Sequence, residues 1–169
     1  MRKVDVWSYT DKWAFMFSEE VEKLKHIFKN EIVDIHHIGS TSVPGLKAKP
    51  IIDMMPVVQD ITVVDNYNEE MLDIGYLPKG ENGIAGRRYF EKGGDPRSHH
   101  IHIYQVGSHE IKRHLAFRDF LQKHTDVKRN YGELKEKLAQ QFPYDIESYI
   151  KGKEQLVRDI EMAALNWYK

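Results

Sequence analysis

The 169-residue sequence contains no cysteine. Disulfides and thiolate metal sites are thereby excluded, and any metal must be held by carboxylates, histidines or a ligand's own oxygens. No run of about 18 apolar residues occurs, so no membrane-spanning helix is expected. Met1-Arg2-Lys3-Val4-Asp5 leads into a mixed polar segment without a signal-peptide core, and the expected location is the cytoplasm. Charge of one sign is not in excess either: 25 Lys and Arg stand against 26 Asp and Glu, a net charge of −1. Such a chain has no global field for nucleic acid, and only a local basic cleft would attract an anion. Internal repeats, low-complexity tracts and linkers are missing. What is present, 41% hydrophobic and 30% charged residues over this length, suits one globular domain spanning 1–169.

Trp13, Phe17, Val21, Leu24 and Phe28 recur at three- and four-residue spacing behind Thr10 or Asp11 as N-cap, which predicts a first amphipathic helix. The β-branched stretch 32–38 reads as a strand ending at Gly39. A second strand is expected at 50–58, almost continuously apolar as in a strand buried on both faces, apart from Asp53. Residues 60–73 read as a helix with Val63, Val64, Tyr67, Met71 and Leu72 toward the core, closed by Gly75. Stretches 83–92 and 98–104 flank the turn signal Gly93-Gly94-Asp95-Pro96 and predict an antiparallel hairpin. Helices are expected near 109–123, 126–141 and 145–167, the last two separated by Phe142-Pro143. The fold class that results is α/β or α+β: a small mixed sheet flanked by helices, with a helical last third.

Gly39-Ser40, directly after a strand, offers backbone N–H groups and a hydroxyl without bulk, as phosphate oxygens require. Asp53 lies where an ionised carboxylate needs a partner. Lys47, Lys49, Arg87 and Arg88 stand in neighbouring segments; the alternatives are a bound cation or a purely structural ion pair. His100 and His102 share one face of a strand by its period of two, placed to share a metal, to flank a phosphate, or simply to sit half-buried at a sheet edge. Arg87 and Arg88 alternate, so at most one of them faces the same site. On the following helix Arg118, one turn beyond His114, is a candidate phosphate clamp or part of a basic solvent face.

The run His37-Ile38-Gly39-Ser40-Thr41-Ser42-Val43-Pro44-Gly45-Leu46, continuing through Ala48-Lys49-Pro50-Ile51-Ile52-Asp53, resembles the signature of the GrpB family of nucleotidyltransferase-like proteins. Arg97-Ser98-His99-His100-Ile101-His102 and His114-Leu115-Ala116-Phe117-Arg118-Asp119 resemble the same family's later blocks, in the same order. The resemblance implies a polymerase-β-type nucleotidyltransferase fold. It implies that Gly39, Ser40, Thr41 and Ser42, with Lys49, Arg88 and Arg118, hold a nucleotide or other phosphorylated small molecule. It further implies that Asp53 is the catalytic carboxylate and, with His100 and His102, holds a divalent metal: magnesium or manganese, with zinc as the alternative. Nucleotidyl transfer is the sharper expectation; a non-catalytic nucleotide-binding or protein-interaction module is the rival. The second carboxylate of the superfamily pattern should stand at position 55, which is Met55. A thioether is a poor ligand for a hard cation, so this departure leaves the chemistry open. Relatives fused to dephospho-coenzyme A kinases point to nucleotide or coenzyme metabolism. No basic stripe with interleaved aromatics supports a nucleic-acid partner.

Overall fold

The computed structural model describes residues 3–94 and 97–168. Along the chain run α1 (Lys12–Phe28), a 3-10 turn (Lys29–Glu31), β1 (Ile32–Ile38), a 3-10 turn (Ser40–Ser42), β2 (Ile52–Val58) and a 3-10 segment (Ile61–Tyr67). They are followed by α2 (Asn68–Asp73), β3 (Tyr76–Pro78), β4 (Arg88–Lys92), β5 (His99–Gln105), α3 (His109–Lys123), α4 (Thr125–Gln141) and α5 (Ile146–Trp167). The expected elements are formed except that residues 83–87 are a turn rather than strand and 60–73 is only partly α-helical, and β4 and β5 pair as an antiparallel hairpin. Asp95 and Pro96 of its turn lie outside the described residues.

The strands form one mixed sheet in the order β1-β2-β5-β4-β3. β2 and β5 run parallel at its centre; the other neighbours are antiparallel. Because side chains alternate, the sheet has two distinct faces. One carries Ile52, Met54, Phe90, Ile101 and Ile103 and packs on Trp13, Leu24 and Phe28 of α1. Thr10, not Asp11, supplies the oxygen at the start of α1, accepting from Lys12 N–H at 3.3 Å. The other face carries Ile38, Asp53, Met55, His100, His102 and Tyr104 and is covered by the helical last third. There α3, α4 and α5 enclose Ala116, Leu121, Tyr131, Ile160 and Ala164, with Val43 and Leu46 of the β1–β2 loop inserted among them.

One buried acid is settled by this packing. Glu20 of α1 accepts from Tyr76 Oη (2.7 Å), Lys92 Nζ (2.9 Å) and Lys23 Nζ (2.8 Å). Burial alone would raise its carboxyl, but the three donors outweigh that and hold its pKa at about 2. The 60–73 stretch departs from expectation. Asp60 caps Thr62 N–H at 2.9 Å and starts a 3-10 segment, and only 68–73 is α-helical. At three residues per turn instead of 3.6 the apolar face shifts. Val64 and Met71 are buried, whereas Leu72 is 51% exposed.

Candidate functional site

β1 ends with Ile38 paired to Asp53 of β2, and the chain turns at once through Gly39, whose φ is +72°. A Cβ at Gly39 would lie 2.7 Å from Asp53 Oδ2, so this position requires glycine both for its backbone and for the carboxylate beside it. Gly39→Ala should cost about 1–2 kcal/mol in urea unfolding. It should also shift the His100 and His102 ring signals by NMR, because Asp53 must move; a variant with native stability and unchanged rings would show the contact to be loose.

Asp53 pairs in register with His100 of β5. Its Oδ1 lies 3.1 Å from His102 Nε2 and 3.5 Å from His100 Nδ1. Burial would raise this carboxyl, but the two imidazoles overcome the effect and hold it well below the usual carboxylate range. The tautomer of His102 follows from its other neighbour. Arg87 Nη1 lies 3.3 Å from His102 Nδ1. A guanidinium carries only donors, so Nδ1 accepts and Nε2 holds the hydrogen it gives to Asp53. Arg87 is itself buried and anchored by the carbonyls of Glu81 (3.1 Å) and Asn82 (2.7 Å), which fixes the relay from the turn before β4. The partner that Asp53 needs is this imidazole pair.

Above the carboxylate the helices contribute cations. Lys135 of α4 is buried, donates to Ser40 Oγ at 2.7 Å and sits over the Tyr131 ring at 4.4 Å. Burial first, and then Lys153 and Lys49, depress its pKa well below that of a free lysine. Burial and Lys49 likewise lower Lys153 of α5, to about 8. The Tyr149 ring lies between Lys49 (5.5 Å) and Lys153 (5.1 Å), and its buried hydroxyl has no hydrogen-bond partner among the described residues.

These groups line two joined cavities. The smaller, about 190 Å³, is bounded by Ser40, Lys49, His100, Lys135, Tyr149 and Lys153. The larger, about 450 Å³, has the walls Ile38, Phe117, Tyr131, Ile150 and Val157, with Arg113 and Glu161 also lining it. Ser40, Asp53 and Lys153 border both. A groove of about 500 Å³ along α1 and the start of β1 is larger still, but none of the sequence motifs lines it.

Of the residues singled out from sequence, Gly39, Ser40, Thr41, Lys49, Asp53, His100 and His102 are brought together here. Thr41 and Ser42 turn their hydroxyls inward. Thr41 donates to the Ile51 carbonyl at 3.3 Å and meets His37 Nε2 at 3.0 Å, while Ser42 bonds the Gly39 carbonyl. Arg88 does not reach the cleft: Asp65 holds it at 2.7 and 3.2 Å. Of the two alternating arginines it is Arg87 that faces the site. Arg118 is likewise engaged elsewhere, donating to Asp119 at 2.8 Å and to the His37 carbonyl at 3.2 Å. Lys47 pairs with Glu136 at 2.9 Å and pins the loop to α4. His102, whose Nε2 gives its hydrogen to Asp53, acts as a hydrogen-bond donor in this arrangement. Met55 is fully buried with Ile38 and Tyr104, so position 55 itself offers no oxygen beside Asp53.

Lys135 and Lys153 are not among the residues singled out from sequence, and of the two arginines weighed there the resemblance points to Arg88 whereas Arg87 is the one at the site. One signal did exist for Lys135: it shares a helical face with Tyr131 and Leu138, both buried, and a lysine on an apolar stripe calls for an explanation.

The GrpB protein family model matches residues 3–163. The chain belongs to the GrpB family. The UPF0157 protein YqkA of Bacillus subtilis is 51% identical over 99% of this chain, which spans only 49% of that relative. The crystal structure of conserved protein GrpB from Enterococcus faecalis superposes with a TM-score of 0.94 at 45% identity, covering 97% of this chain and 99% of that one. A dephospho-CoA kinase of Mycolicibacterium paratuberculosis is 27% identical over 92% of this chain and 44% of its own length. Among the described residues no helix is long and apolar enough to cross a membrane.

Proposed function

We propose that this GrpB protein binds a nucleotide or other phosphorylated small molecule across the two joined cavities, phosphates in the smaller and the organic part in the larger. The observation that carries this reading is the junction. A chamber lined by three lysines opens, past Ser40, Asp53 and Lys153, into one walled by Phe117, Tyr131, Ile150 and Val157. An anionic head joined to a flat apolar body matches that sequence of surfaces, because desolvated ammonium groups favour phosphate oxygens and aromatic walls favour a ring. The similarity to a dephospho-CoA kinase supports including coenzyme A precursors among the candidates.

Nucleotidyl transfer by the two-carboxylate route has less support, because its second oxygen ligand would be Met55, whose thioether is packed in the core. Binding is therefore the function advanced.

The test is a thermal-shift screen of nucleoside triphosphates and coenzyme A precursors, with and without magnesium, manganese or zinc. A ligand at a hundred times its Kd stabilises by about 2.7 kcal/mol, roughly 5–10 °C in a chain of this size. At least one phosphorylated compound should reach this, and its phosphate-free counterpart should not. A flat screen would reject the reading and turn attention to a protein-interaction role.

A further inference from the structure

We propose that the small chamber holds the diphosphate or similar condensed-phosphate part of its ligand without a divalent cation, the side chains of Lys49, Lys135 and Lys153 supplying the positive charge; this rests on the phosphorylated-ligand reading above.

The donor set argues against a metal. Two-cation phosphoryl chemistry needs clustered anionic oxygens that hold ions roughly 3.5–4 Å apart. The chamber offers one carboxylate, Asp53, whose Oδ1 already faces two imidazoles and whose Oδ2 lies against the Gly39 backbone. Met55 contributes a buried thioether, and His102 has no lone pair to give from Nε2 while Arg87 occupies Nδ1. Among the described residues no three His, Asp or Glu side chains are grouped to hold a metal ion.

The same walls suit an anion that brings its own acceptors. Lys135 is buried against a hydroxyl and an aromatic ring, with no ion-pair partner among the described residues. The Tyr149 hydroxyl and His100 Nε2 are buried atoms of the same chamber without hydrogen-bond partners among the described residues. Phosphate oxygens would accept from the Tyr149 hydroxyl and from the ammonium groups of Lys135 and Lys153, and would relieve the repulsion among the three lysines. Because that repulsion and burial lower Lys135 and Lys153, binding should draw protons onto them.

Isothermal titration with inorganic pyrophosphate, in EDTA and near pH 8, tests this in buffers of different ionisation enthalpy. The expected result is binding in EDTA that magnesium does not strengthen, with net proton uptake. Lys135→Met and Lys153→Met should each weaken affinity by about tenfold or more, with melting curves confirming that both variants fold. Binding that vanishes in EDTA and returns with magnesium or manganese would overturn the metal-free site and leave the phosphorylated-ligand reading standing. Absence of binding to pyrophosphate, together with a flat nucleotide screen, would remove both.

Discussion

Acidification should unfold this protein cooperatively between roughly pH 4 and 6. Three histidines are held in neutral form, His99 buried and His37 and His114 half-buried. His37, stacked on Phe17 at 4.8 Å, and His99, beside Tyr76, have pKa values lowered by burial to about 4. His114 is lowered to about 3 by burial and by Arg113, which donates to its Nε2 at 3.2 Å. An unfolded histidine takes its proton near pH 6.5, so below that pH the unfolded chain binds protons that the folded chain refuses, and stability falls as pH drops. With folded values of about 4 against about 6.5 when unfolded, His37 and His99 each stand for about 3 kcal/mol once both values are passed, and His114, at about 3, for more. Three such groups rival the entire stability of a domain, roughly 5–15 kcal/mol. Glu20 adds to the loss below pH 4.5, since its carboxyl, held at about 2, must protonate in the unfolded state first. Far-UV circular dichroism and tryptophan fluorescence should therefore lose their native signals together, with a steep dependence on pH reflecting uptake of more than one proton. Spectra unchanged at about pH 3.5 would show that these imidazoles are hydrated and the burial argument wrong.

The polar anchors of the site were legible in the sequence wherever the chemistry is local. Gly39 before a strand's far partner, an isolated carboxylate in an apolar run and two histidines at a spacing of two are all short-range patterns, and each is found where the pattern places it. Arg87 and Arg88 show where local reasoning stops. Alternation says that the two face opposite ways, but which one faces the cleft depends on the register of β4 against β5, where Tyr89 lies opposite His102. Lys135 and Lys153 stand about a hundred residues after the Ser40 loop they meet. Their role comes from the packing of α4 and α5 over the sheet face, which no local periodicity encodes. Asp53 has the partner its place in an apolar strand demands, but that partner is neither lysine nor arginine, because the parallel pairing of β2 with β5 brings two imidazoles to the carboxylate. A separation of three strands along the chain can be one hydrogen-bonded neighbour in the sheet, and only topology shows it.

Lys135→Met should stabilise the ligand-free protein at neutral pH by about 1–3 kcal/mol while it weakens anion binding. In the wild type a lysine is kept in a buried position where its hydrogen bond to Ser40 and its contact with Tyr131 replace only part of the hydration it loses. Methionine retains the unbranched apolar stem and removes the charge, so the packing beside Tyr131 survives and the desolvation cost disappears. The pH dependence separates this account from ordinary repacking. An unfolded lysine keeps its proton up to about 10.5, whereas burial and the neighbouring lysines depress the folded value. Between those two values the unfolded wild type binds more protons than the folded form, so wild-type stability rises with pH. The advantage of the methionine variant should accordingly shrink as pH approaches 10. Urea unfolding of both proteins at neutral and alkaline pH reads the difference directly. A variant less stable than wild type at pH 7, or a gap that does not move with pH, would mean that Lys135 is already well satisfied in the ligand-free fold. The case for a chamber built to receive phosphate would then lose its energetic basis.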